Sequence, residues 1–178
     1  MTQQTFPLNT WYVACTPDEI ETQPFARKIC NIPLVFFRNQ DNEIKALEDF
    51  CPHRGAALSL GFVENGQLVC GYHGLRMEDS GKVASMPNQR VENFPCIKAY
   101  ATDERYGFVW LWPGDQALAD DKLIPELEWA MLEIEKGSTA HDFSGRQKEV
   151  FTIFKRYNTA NRHKMIPIPV CEIPKEIM

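Results

Sequence analysis

Two short segments each offer one thiol and one imidazole: Cys51-Pro52-His53 and, with sixteen residues between, Cys70-Gly71-Tyr72-His73. Together they read C-x-H-x16-C-x2-H. Two thiolates and two neutral imidazoles suit a 2Fe–2S centre in which both cysteines bind one iron and both histidines bind the other. Replacing two anionic thiolates by neutral imidazoles lowers the negative charge of the oxidised centre, so it takes up an electron more readily. A chain built round such a centre is an electron carrier, or the electron-entry part of an oxygenase. A structural zinc ion is the competing occupant, because zinc also takes two cysteines and two histidines. Zinc motifs usually separate paired ligands by two to five residues, and C-x-H is tight for two ligands on one small ion. Four unliganded core side chains are the remaining reading.

Ligands two or three apart can reach different metals only where the backbone turns sharply. Gly55 after Arg54, and Gly71 and Gly74 around His73, supply that freedom, while Pro52 stiffens the first segment. Backbone N–H groups in such loops stabilise negatively charged sulfides.

The elements that must hold these loops read as short strands broken by turns. Candidates are Trp11–Cys15, Pro33–Arg38, Ile44–Phe50, Gln67–Cys70, Leu75–Glu78 with a partner at Val83, Tyr100–Glu104 and Tyr106–Trp112. Asn39-Gln40-Asp41-Asn42 and Asp79-Ser80-Gly81-Lys82 are the turns of two expected hairpins. Regular spacing of short strands predicts an antiparallel, mainly β domain. Pro17-Asp18-Glu19-Ile20 predicts a brief helical turn. Pro125 opens a possible helix that Met131–Lys136 continue until Gly137; residues 149–155 are ambiguous, and residues 166–170 alternate proline with apolar side chains. Trp110 and Trp112 share one strand face and are expected in the core rather than on a binding platform.

Bulk properties narrow the class. A chain of 178 residues with 44% hydrophobic content has room for one domain and a little more, with a real core. No run of eighteen apolar residues predicts a membrane helix, and residues 1–5 lack the basic and apolar parts of a signal peptide, so the default location is cytoplasmic. Cys15, Cys30, Cys96 and Cys171 are scattered singly; Cys15 and Cys30 lie in apolar surroundings and read as buried small hydrophobes rather than a disulfide framework. Residues 1–130 carry 11 Lys/Arg against 18 Asp/Glu, a net −7, which argues against nucleic acid as a partner. Residues 131–178 carry 8 against 6, a net +2, so the charge changes sign near residue 130.

Cys51-Pro52-His53-Arg54-Gly55 and Cys70-Gly71-Tyr72-His73-Gly74 resemble the two cluster-binding loops of Rieske non-haem iron oxygenases. Glu48-Asp49-Phe50 before the first loop matches too. Met86-Pro87 resembles the proline-bearing loop that covers the cluster, and residues 104–114 resemble the end of the Rieske domain. Residues 11–17 and 85–91 carry a narrower likeness to the oxygenase subunits of the vanillate O-demethylase family. The resemblance covers roughly residues 5–130.

The resemblance implies a mainly β, antiparallel Rieske 2Fe–2S (ISP-like) domain over residues 5–115, a linker over 116–130 toward a catalytic domain, and a tail over 131–178 unlike the family. It implies Cys51, His53, Cys70 and His73 as the cofactor and metal ligands, with His53 and His73 at the solvent edge as the electron exit and their free nitrogens coupling protonation to redox state. The partner it implies is an NADH-dependent flavin and iron–sulfur reductase, within a possible homotrimer, for oxidative demethylation of an aryl methyl ether with O₂. The family's oxygenases add a mononuclear Fe(II) held by two histidines and a carboxylate. Outside the loops this chain has only His141 and His163, 22 residues apart and without a nearby preceding acid, so no catalytic residue is expected. The likeness fails abruptly after Glu128-Trp129-Ala130, and the expectation is a frame-shifted or truncated remnant over residues 131–178, or else a real short extension. A stand-alone Rieske ferredoxin and a zinc module stay open as alternatives. Respiratory Rieske proteins carry a disulfide at positions that correspond to Ala56 and Tyr72, and a serine at Leu75. Without that hydroxyl, the midpoint potential is expected toward the low end of about −150 to +300 mV. Arg54 serves either a hydrogen bond across the loop or a positive spot for a partner.

Overall fold

Residues 6–92 and 94–126 are described by the structure, a computed structural model. They form two antiparallel sheets. The strands are β1 (Tyr12–Cys15), β2 (Phe25–Ile29), β3 (Ile32–Arg38), β4 (Ile44–Glu48), β5 (Phe62–Glu64), β6 (Gln67–Val69), β7 (Arg76–Met77), β8 (Val83–Ser85), β9 (Ala99–Arg105) and β10 (Phe108–Trp112). Six of them run in the order β1-β10-β9-β4-β3-β2, and the other four in the order β5-β6-β7-β8. The mainly β, antiparallel class is as the sequence predicts.

β3 explains how the sheets are held. Alternate side chains of a strand point to opposite faces. Leu34 and Phe36 enter one core with Tyr12, Ala46, Val109 and Leu111. Val35 and Phe37 enter a second core with Leu47, Leu58, Leu68, Leu75 and Met77, between the large sheet and the small one. A strand buried on both faces reads as an unbroken apolar run, which is what Leu34-Val35-Phe36-Phe37 is. Cys15 and Cys30 lie buried in the first core, and burial pushes the Cys15 thiol up to about 12. No described cysteine is in a disulfide.

Three two-residue turns close hairpins, each with both φ angles positive: Cys30-Asn31, Asn65-Gly66 and Tyr106-Gly107. Such turns match the right-handed twist of the strands they join. Two of these hairpins hold strands that the sequence reading did not include, β2 and β5. The third moves Tyr106 and Gly107 out of a strand and into the turn. β4 stops at Glu48 rather than running to Phe50, because the chain turns there into the first of the two Cys/His segments.

Trp110 and Trp112 are buried, as expected, and each indole N–H finds a carbonyl: Arg105 O at 3.0 Å and Asp115 O at 2.8 Å. The expected turn at Pro17–Glu19 is a single 3-10 turn, with Glu19 accepting from the Thr16 N–H at 2.9 Å and pairing with Arg27 at 2.7 Å. After β10 the chain stays tied to the sheet: the Trp11 indole donates to Asp120 O at 2.8 Å, and Arg105 pairs with Asp121 at 3.0 Å. No helix among the described residues is long and apolar enough to cross a membrane. The expected helix beyond Pro125, the charge change near residue 130, His141, His163, Cys171 and the expected tail over 131–178 lie outside the described residues, apart from Pro125 and Glu126.

Candidate metal centre

The two Cys/His segments fold into the same turn. Cys51 N–H donates to Ala56 O at 2.8 Å, and Cys51 O accepts from Gly55 N–H at 2.8 Å. Cys70 N–H donates to Leu75 O at 2.8 Å, and Cys70 O accepts from Gly74 N–H at 3.0 Å. Both turns need a residue in the left-handed region four places after the cysteine, and both have glycine there: Gly55 at φ 70° and Gly74 at φ 71°. Local sequence thus sets two matching loops, one leaving β4 and one joining β6 to β7. The second is clamped at its base by the β6–β7 pairing of Val69 with Arg76. The first is tied at its entrance, where Asp49 accepts from the Ser59 N–H at 2.8 Å and the Ser59 hydroxyl at 2.6 Å.

Bringing the loops together pairs like with like. The Cys51 and Cys70 thiols lie within reach of each other, and the His53 and His73 ring centroids are 4.7 Å apart at 71°. The cysteines are buried in the second core, at 2% and 1% exposure, while the histidines are only half-buried. Burial pushes the Cys51 thiol up; the His53 N–H pulls it down, and the neighbouring Cys70 pushes it up again. Burial first, then the nearby His73 and Arg54, hold His53 below the usual imidazole range. Both effects favour neutral groups, and metal binding displaces the thiol protons.

This donor set fits a two-iron cluster on the structure's own terms. His53 Nδ1 is buried and has no hydrogen-bond partner, which is the state of an atom whose partner is a metal. A tetrahedral zinc site needs all four ligands round one point. A 2Fe–2S centre needs two per iron, with sulfides completing each shell.

Several neighbours were not evident from sequence spacing. Phe94 sets its ring edge against His53, with centroids 5.9 Å apart, and the Tyr72 ring lies 3.8 Å from that of His73 at 36°. The Met86-Pro87 segment does lie over the second loop: a Cβ on Gly74 would meet Pro87 Cγ at 3.2 Å. Met86 also bridges to Gln89 across a tight turn. Arg54 is exposed, and its guanidinium makes no hydrogen bond across the loop among the described residues.

Comparison with known proteins follows the same lines. The sequence profile of the family described as Rieske [2Fe-2S] domain matches residues 10–98. A vanillate O-demethylase oxygenase subunit from Pseudomonas sp. (strain HR199 / DSM 7063) is 63% identical over 125 residues, covering 70% of this chain and 35% of that protein. The oxygenase component of dicamba O-demethylase from Stenotrophomonas maltophilia is 41% identical over 130 residues, covering 68% and 37%. Among solved structures, apo dicamba monooxygenase superposes with a TM-score of 0.67 at 39% identity, covering 72% of this chain and 40% of that one. The chain therefore spans about a third of the length of the curated relatives it matches.

Proposed function

The chain belongs to the Rieske [2Fe-2S] domain family, and from that membership we propose that it is the electron-entry part of an oxygenase of the vanillate O-demethylase type. Cys51 and Cys70 hold one iron of a 2Fe–2S cluster, and His53 and His73 hold the other. The observation that carries this reading is the pairing of two matching loops, thiol with thiol and imidazole with imidazole. The cluster, when bound, supplies one-electron chemistry.

The residues of this chain do the rest. Buried Cys51 and Cys70 keep water from one side of the site, and the apolar core behind them fixes their position. Half-buried His53 and His73 give the short route to the surface. Around them Phe50, Leu60 and Tyr72 are exposed at 50%, 83% and 63%, with the Arg54 charge alongside. An apolar rim with one cation is the surface on which an NADH-dependent flavin and iron–sulfur reductase rests in this reading. We assign no oxygen-activating residue here. In this reading the mononuclear iron belongs to the part of the relatives that the match does not cover, and the substrate is an aryl methyl ether by likeness to the vanillate enzyme.

The test is anaerobic reconstitution with iron and sulfide, followed by visible and EPR spectra and by assay with a reductase and vanillate. A red-brown protein with a rhombic reduced signal supports the cluster; a colourless zinc protein refutes it. Electron uptake from the reductase without turnover of vanillate by this chain alone is the expected kinetic result. Vanillate turnover by this chain alone would contradict the assignment of oxygen chemistry elsewhere.

A further inference from the structure

We propose that Tyr72 is a positioning residue for His73: its ring holds the imidazole plane and keeps water from it, and so sets the midpoint potential of the centre. The proposal rests on the reading of His73 as an iron ligand.

Tyr72 is 63% exposed, so core packing does not account for an aromatic side chain there. Its ring nevertheless lies over that of His73, 3.8 Å between centroids and tilted by 36°. Its hydroxyl makes no hydrogen bond among the described residues, which leaves the ring as the working part. His73 has a second ring neighbour in His53, at 4.7 Å, and His53 is in turn met by Phe94. His53 therefore has a partly buried aromatic guard, and His73 has only the exposed one. Gly71 leaves no side chain on the other flank of Tyr72, and a Cβ there would lie 3.0 Å from Leu60 O.

Two physical effects act in one direction. An aromatic face carries partial negative charge, which disfavours an added electron next to it. A ring that excludes water also withholds the solvation that would stabilise the reduced state, which carries one more negative charge. Removing the ring therefore raises the potential. It also frees the imidazole to adopt a spread of orientations, which broadens the reduced EPR signal.

The experiment compares the reconstituted wild type with Tyr72→Phe and Tyr72→Ala by redox titration monitored by EPR. Wild type and Tyr72→Phe are expected to share one midpoint. Tyr72→Ala is expected to shift upward by at least threefold in the reduction equilibrium, about 28 mV at 59 mV per tenfold, with broader lines. An unchanged or lowered midpoint in Tyr72→Ala, or the same rise in Tyr72→Phe, overturns the proposal. Should Tyr72→Ala fail to hold a cluster, Tyr72→Leu decides: a raised midpoint supports the proposal, whereas a wild-type or lowered midpoint, or loss of the cluster here too, overturns it in favour of a purely structural role. A wild type that takes up no iron and sulfide refutes the ligand reading instead, so the two failures are told apart.

Discussion

His53 shows how much of this site rests on single atoms. Its Nδ1 is buried without a partner, and burial, His73 and Arg54 hold its pKa below the ordinary value near 6.5. The folded chain without metal therefore takes up a proton at His53 less readily than the unfolded chain, which binds one there once the pH falls below about 6.5. The stability from this group is complete above that value and is lost as pH drops through the window beneath it. The urea midpoint of the metal-free protein is thus expected to fall between pH 7 and pH 5.5, and to fall less in His53→Gln; equal slopes would contradict the argument. The four proposed ligands were legible because their types and spacing carry the chemistry directly. Tyr72 and Phe94 were not: stacking on His73 and His53 depends on where a loop folds back, and aromatic residues at those positions read equally well as core or surface.

Strand and loop geometry decides whether the ligands meet. Gly55 and Gly74 occupy equivalent places, in the left-handed region, in two loops with the same hydrogen bonds. Gly74→Ala forces a Cβ into that region and brings it to 3.2 Å from Pro87 Cγ. Left-handed backbone alone costs roughly 1–2 kcal/mol for an L-residue. Gly74→Ala is expected to lose about that much stability in urea titration, and to lose its metal to a chelator faster than wild type; full stability would remove the case for a strained second loop. At this scale the reading from sequence was partial. Hairpins with four-residue polar turns, Asn39–Asn42 and Asp79–Lys82, stood out. β2 did not, because its turn is Cys30-Asn31, where no glycine announces the two positive φ angles. β5 was missed although Asn65-Gly66 is a strong hairpin signal, because a strand of three residues, Phe62–Glu64, has too little alternation to read. The end of β4 at Glu48 follows from Asp49 turning to hold Ser59, a long-range bond that local pattern does not reveal.

Over the whole described chain, two cores share the strands β3 and β4, and both Cys/His loops hang from the second through Cys51 and Cys70. The first core makes a stable platform; the second places buried cysteines behind half-exposed histidines. Leu75 belongs to that second core and is fully buried, with no hydroxyl to offer the centre. The midpoint potential is accordingly expected near the low end of about −150 to +300 mV, and a strongly positive value in a redox titration would show that other donors compensate. Mainly β architecture followed from strand spacing alone; the joining of two sheets through β3 did not, because the apolar run Leu34–Phe37 reads locally as no more than a strand, and its two cores are set by distant partners. Chemical analysis of the reconstituted, purified chain tests the central claim most directly. The account predicts iron and inorganic sulfide in equal amounts, about two of each per chain, both lost when His53 and His73 are replaced by alanine. One zinc per chain with no sulfide, or sulfide content unchanged by the double replacement, would contradict it.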